Sequence, residues 1–379
     1  MSITVRDREA IHAQLELALA LAESVKPLHL PSQEVEYVED ILRHIDIATS
    51  GYLNVLTCLI CSSLDRGIDP RFHRSPGKGM PSPSPENGWF SGRSVSEQIL
   101  YPWLNKRRLR TAKSGWQTRT YERPTPYILT YPENIAYIKG SFLGLLDYAS
   151  KNFNDRIVIV ATFLRREIVH RDQLGKLKIS VSKSTIGNEV LITDILGALT
   201  EHFSVTNSAH LPVVAIYSIY EMLINQVSQY HGFSLRPLEN HQASDLRTGA
   251  VGDIEIEDAD GDVIEGVEVK HNLRIGIPIL ITAEEKILKS RLKRYYILTT
   301  HGSCSAEDQE FNNIIRKVYK LHGCQIITNG VYPTIRYYLR MMTEPSEFVR
   351  RYSENLARRT DVTSDQVRRW LDIVARLNS

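Results

Sequence analysis

Cysteine is scarce: Cys58, Cys61, Cys304 and Cys324 are the only four in 379 residues. That excludes the framework expected of a disulfide-stapled secreted scaffold. Cys58 and Cys61 spell CxxC, but inside "LNVLTCLICSSL", where an apolar helix competes with a redox or metal pair. Long apolar runs are also lacking, since no stretch approaches the roughly 18 uninterrupted residues of a membrane span. The opening "MSITVRDREAIH" carries acidic charge in place of a signal peptide's apolar core, so a cytoplasmic location is expected. An excess of one charge is missing too. Lys and Arg total 46 against 44 Asp and Glu, a formal net charge of +2. No wholly basic coat is possible, and a polyanion would have to be met by local patches. A phosphate-binding loop is absent as well: "PGKG" lies in the Pro/Gly/Ser-rich loop 75–88 without the GxxxxGK[ST] spacing.

What is present is ordinary globular material, 42% apolar and 24% charged, in a chain comfortable for two domains. Apolar periodicity predicts helices over 7–26 and 33–65, and Ser94 with Glu97 has the spacing of a capping box. "RIVIVATFL", 156–164, is β-branched enough for a buried strand, although a helix continuing through "RREIVH" competes. Helical pattern returns near 189–202. From residue 211 the order reads helix, three strands, helix, strand, helix, strand. The first helix starts with Pro212 at an early position and stops before Gly232. "FSLRPL" is a short strand, and "VGDIEIED" and "DVIEGVEVK" are strands joined by the tight turn "ADG". After them come a helix at 282–293, a strand at 294–300, a helix at 305–323 backed by Gly323, and the strand "CQIITNG".

"VEVKH", 267–271, carries the chemistry. Period-2 geometry sends Val267 and Val269 to one face of a strand and Glu268 and Lys270 to the other. In the preceding strand the same alternation groups Asp253 with Glu255, away from Ile254 and Ile256. A charged face on an antiparallel hairpin is the plain alternative. "DADGD", 258–262, has the start of a calcium loop, but loop position twelve is Val269, so it reads as a turn. His271 falls on the opposite strand face from Lys270, with packing or a surface role as its default.

Asp253, Glu268 and Lys270, set in that element order, resemble the PD-(D/E)xK nuclease superfamily and, within it, type II restriction endonucleases. Gly252 stands where the superfamily's name has Pro. The resemblance covers about residues 211–330. It implies an α/β fold: a C-terminal restriction-endonuclease-like core, a mixed sheet flanked by helices, after a mainly helical N-terminal region. It further implies Mg²⁺ on Asp253 and Glu268, with Lys270 orienting or helping to deprotonate the attacking water. Glu221 lies within the otherwise apolar helical spacing of Val214, Tyr217 and Ile224, where the superfamily often places a Glu pointing at the metal. A salt-bridged or snorkelling Glu at the rim is the alternative. The expected activity is sequence-specific hydrolysis of double-stranded DNA by a homodimer, beside a separate cognate DNA methyltransferase. A repair or modification-dependent nuclease, or an inactive DNA-binding protein on the same fold, stays open.

The remaining chain divides into a helical region 1–74, a basic region 75–210, the core 211–330 and a helical extension 331–379. Between Asn105 and Pro124 stand seven Lys/Arg against one Glu. Lys106, Arg107, Arg108, Arg110, Lys113, Trp116 and Arg119 are the candidate DNA contacts, because basic groups meet phosphates and aromatics stack on bases. A solvated basic loop is the alternative. A second basic set, Arg350, Arg351, Arg358, Arg359, Arg368 and Arg369, lies near the C-terminus. There Thr363-Ser364-Asp365 caps a predicted helix through Val367, Leu371, Val374 and Leu377, suited to packing or to dimer formation.

Overall fold

The computed structural model describes residues 2–73, 88–112, 123, 125–135, 137–183, 190–238, 250–288, 290–302, 309–359 and 361–378. Packing divides the chain into two compact units, Met1–Gln173 and Leu174–Ser379. The result is mixed α/β, with helices in the first unit and one five-stranded sheet in the second.

In the first unit, α1 (Arg8–Glu23) is followed by α2 (Ser32–Arg43) and α3 (Ile45–Ser62). The single helix predicted over 33–65 is therefore two. Nδ1 of His44 lies 2.9 Å from the Asp40 carbonyl, a side-chain bond that competes with the backbone ladder. Ala48 then leaves helical geometry, at φ −127° and ψ 33°. Arg165 closes α1 by donating to the carbonyls of Leu21, Ala22, Ser24 and Lys26. Two short parallel strands, β1 (Ser2–Ile3) and β2 (Trp89–Phe90), precede α4 (Gly92–Val95), a π-helical turn (Ser96–Leu100) and α5 (Tyr101–Lys106). The helix thus starts before Ser94, which is no cap. Glu97 instead accepts from Arg93 one turn back. Next come α6 (Lys139–Lys151) and α7 (Asp155–Ser182). The predicted strand 156–164 lies inside α7, where Ile159, Val160, Phe163 and Leu164 are buried at helical spacing. Short β-branched runs do not separate helix from strand by periodicity alone.

Among the described residues α3 alone is long and apolar enough to cross a membrane, and most of it is buried in the first unit's core. Cys58 and Cys61 are buried there as free thiols, and burial pushes both well above the ordinary thiol range. They are core residues of an apolar helix. Cys304 lies outside the described residues.

The second unit holds α8 (Ile192–Phe203), α9 (Leu211–Gln226) and the strands β3 (Ser234–Leu235), β4 (Ile254–Glu257) and β5 (Val263–Lys270). Then follow α10 (Ile277–Ile287), β6 (Arg294–Thr299), α11 (Gln309–His322), β7 (Gln325–Gly330), α12 (Val331–Leu339), α13 (Ser346–Arg358) and α14 (Ser364–Leu377). The order expected from residue 211 to 330 is the order observed. α9 ends at Gln226, short of the expected stop at Gly232, which takes a φ of +83° after a separate 3-10 turn (Ser228–Tyr230). Gly323 takes +68° directly behind α11, and Gly261 takes +83° in the hairpin turn. Asp258 closes that turn by accepting from the backbone of Asp260 and Asp262, as a turn and not a calcium loop.

The sheet order is β3-β4-β5-β6-β7, antiparallel from β3 to β5 and parallel from β5 to β7. One face carries Ile254, Ile256, Val267, Val269 and Leu298 into a core shared with α9, α12, α13 and α14. The other carries Tyr295, Ile297 and Ile326 into a smaller core with α10 and α11. Alternation therefore buries both faces and sends Glu268 and Lys270 toward α10. Thr363 caps α14 with Gln366 in a reciprocal box, and Val367, Trp370, Ile373 and Val374 are buried within this unit. That apolar face is spent on packing.

Candidate active site at the β4–β5 hairpin

The antiparallel register pairs Ile254 with Val267, so the next position along places Asp253 beside Glu268. Oδ2 of Asp253 accepts from the backbone of Val269 at 2.7 Å, the residue between Glu268 and Lys270. Gly252 permits the approach. A Cβ there would sit 2.8 Å from the Val267 carbonyl oxygen, which is backbone and cannot yield. Glycine at this position thus has a steric reason.

Glu268 is buried, and each of its oxygens meets an ammonium. Lys270 donates to Oε1, and Lys286 of α10 donates to Oε2 at 2.8 Å. The Tyr295 hydroxyl lies 3.1 Å from Oε2 and 2.8 Å from the Val251 carbonyl. Burial raises the Glu268 carboxyl, but Lys286 and Lys270 together outweigh it and hold the group below the ordinary carboxylate range. It is an anion at neutral pH. Gly266 makes room for Tyr295, its partner in the β5–β6 register: a Cβ at 266 would come within 3.0 Å of the ring. In front of these groups is an open pocket of about 190 Å³. Glu268, Lys270, Lys286 and Tyr295 line it together with Pro278, Ile279, Thr282, Ala283 and Ile297.

The structure therefore brings Asp253, Glu268 and Lys270 together. It does not bring Glu221 to them. Glu221 sits on α9, which packs on the opposite face of the sheet, and its Oε2 accepts from Asn355 of α13 at 2.7 Å. The stripe of Tyr217, Glu221 and Ile224 is only half-buried. Glu221 is thus a hydrogen-bonded rim residue, because Tyr220, one position away, is what α9 turns to the sheet. Tyr220 and Tyr230 donate to Glu265, a buried carboxylate on that far face which no sequence signal marked. Glu255 shares Asp253's face but is tied to the Val251 backbone and to Arg236. His271 bridges Ser208 and Thr300, at 3.1 and 3.0 Å, and burial lowers its imidazole below the ordinary range, so it stays neutral.

Lys286 and Tyr295 were missed because they come from other elements. The signal that existed was the spacing of Ala283, Lys286 and Ile287 on the helix predicted over 282–293, which sets a lysine beside core positions.

Part of the basic segment is committed to ion pairs within the first unit. Arg107 stacks over the Trp103 ring at 3.9 Å and pairs with Glu16 at 2.5 Å. Arg110 pairs with the fully buried Glu167 at 2.6 Å and with Asp46 at 3.2 Å. Both guanidiniums hold the first unit together, and reaching a phosphate would break those pairs. Lys106 and Arg108 are exposed. Lys113, Trp116 and Arg119 lie outside the described residues. The second basic set is offset by carboxylates: Arg350, Arg351 and Arg358 by Glu347 and Glu354, Arg359 by Asp361, Arg368 by Asp365 and Arg369 by Glu201.

Among the described residues no three His, Cys, Asp or Glu side chains gather as a metal-binding group. The donors at the hairpin are two carboxylates, all hard oxygen. That is the donor type and number that Mg²⁺ takes from protein while keeping several waters. No protein-family model matches the chain, and no curated protein matches it in sequence.

Proposed function

We propose that the protein is a Mg²⁺-dependent endodeoxyribonuclease with a restriction-endonuclease-like core in its second unit, acting on double-stranded DNA. One observation carries the reading: the β4–β5 register sets Asp253 beside Glu268, and Lys270 bonds to Glu268 at the wall of an open pocket. Phosphodiester hydrolysis needs a nucleophilic water, stabilisation of charge on the phosphoryl oxygens and an activated leaving oxygen. Asp253 and Glu268 would hold the metal, which when bound supplies Lewis-acid stabilisation and an acidified water. Lys270 supplies a compact cation that orients the attacking water, helps to take its proton and offsets phosphoryl charge. The neighbouring bonds of Tyr295 and of the Val269 backbone fix the two carboxylates before substrate arrives. Cutting both strands requires two such sites, which favours a homodimer. Sequence specificity, and a separate cognate methyltransferase protecting host DNA, belong to the same reading.

The test is plasmid nicking with Mg²⁺ and with EDTA. Wild-type protein should cut only with metal, and Asp253→Ala and Glu268→Ala should abolish cutting while keeping the fold. Lys270→Ala should lose about 10²–10⁴-fold, the usual worth of a positioned proton-transfer group, and Lys270→Arg should restore little. Near-normal cutting by either carboxylate variant under limiting Mg²⁺ rejects the assignment.

A further inference from the structure

The pocket-facing stripe of α10 is Ile279, Thr282, Ala283 and Lys286, at helical spacing along one wall of the pocket. Three of the four are small or largely apolar. The fourth carries an ammonium, only 17% exposed at the side chain, to Oε2 of Glu268. Lys270 reaches the other oxygen of the same carboxylate from the end of β5. Two ammonium groups on separate elements therefore bracket one carboxylate at the pocket's polar end. Desolvating a lysine against a carboxylate that already has a cation adds little to stability, and an apolar side chain would pack the wall as well. An anion entering the pocket would lie within reach of both lysines.

We propose that Lys286 is a second catalytic lysine, one that binds a non-bridging oxygen of the scissile phosphodiester. This rests on the nuclease reading. Its role differs from that of Lys270: it stabilises charge and moves no proton. Arginine should therefore replace it in part, whereas arginine at 270 should not.

The experiment compares wild type, Lys286→Met and Lys286→Arg, each checked for native thermal unfolding. The first readout is binding of thymidine 3′,5′-bisphosphate in calcium and in EDTA by titration calorimetry. The second is single-turnover cleavage at saturating Mg²⁺. Lys286→Met should bind the bisphosphate at least about tenfold more weakly and cut about 10²–10³-fold more slowly, the cost of removing one transition-state donor. Calcium affinity measured without the bisphosphate should hold within a few-fold. Lys286→Arg should recover at least about tenfold in both losses, because it keeps the charge. If wild type cuts and Lys286→Met matches it in binding and rate, the role of Lys286 is overturned and the nuclease reading stands. If wild type neither cuts nor binds the bisphosphate, both fall. If it binds without cutting, the binding comparison alone decides for or against Lys286. Should Lys286→Met fail to fold, the same ratios are read from Lys286→Arg against Lys270→Arg. Equal losses then overturn the distinction.

Discussion

Glu265 and Glu268 stand three residues apart on β5, on opposite faces, and their surroundings push their carboxyls in opposite directions. At Glu265 burial outweighs the bonds from Tyr220, Arg294 and Tyr230, so the carboxyl is raised. A raised group contributes fully below the ordinary carboxyl value of 4.5, and loses that contribution as pH climbs through its folded value. At Glu268 the lysines win and the carboxyl is lowered, so its contribution is present above 4.5 and is lost as pH falls through its own lower value. Urea unfolding across pH separates the two. Glu265→Gln should be more stable than wild type near about pH 8, with the gain fading below the ordinary carboxyl range. Glu268→Gln should be less stable than wild type at neutral pH, with the gap closing in acid. Stability curves that run parallel to wild type for both variants would show that neither carboxyl is set by these surroundings.

At the scale of elements, the second unit was legible where information was local. The Gly323 stop, the "ADG" turn and the alternation in 253–256 and 267–270 are read within a few residues, and they grouped Asp253 with Glu255 and Glu268 with Lys270; the register across the hairpin then joins the two groups. Lys286 and Tyr295 were illegible because a helix and a neighbouring strand deliver them through tertiary packing. Glu221 misled for a related reason: helical spacing gives a stripe, but only packing says whether the stripe is the buried face or its rim. The first unit was read less well. A β-branched run inside α7 looks like a strand, and a line of arginines looks like a polyanion site until their carboxylate partners are known. Glu167, from α7, is the deciding partner. It binds both the guanidinium and the backbone N–H of Arg110, pinning the segment after α5. Arg110→Ala leaves that buried carboxylate without its cation and should cost about 3 kcal/mol, whereas Arg108→Ala should be near neutral. Denaturant midpoints measure the contrast, and equal small effects would return Arg110 to the list of candidate DNA contacts.

For the whole molecule, the proposed activity requires a nearly neutral chain to meet a polyanion. With a net charge of +2, affinity for DNA has to come from cations that are not already committed to carboxylates. Many arginines are so committed, including the six of the C-terminal set, and a paired cation must give up its carboxylate before it neutralises a phosphate. Lys106 and Arg108 differ, being exposed beside a segment whose anchors are Arg107 and Arg110. Each phosphate contact adds about 0.9 to the slope of log affinity against log salt for duplex DNA. Removing Lys106 and Arg108 together should therefore weaken binding and lower that slope by about two. The comparison is Arg358→Ala with Arg368→Ala, which removes equal charge from pairs formed with Glu354 and Asp365 and should leave the slope unchanged. Anisotropy of a labelled duplex at four or more salt concentrations, with calcium in place of magnesium to prevent cutting, reads both slopes. A loss that follows total charge, equal in the two double variants, would mean that the field of the whole molecule holds the DNA. A loss confined to the first would place phosphate contacts on Lys106 and Arg108.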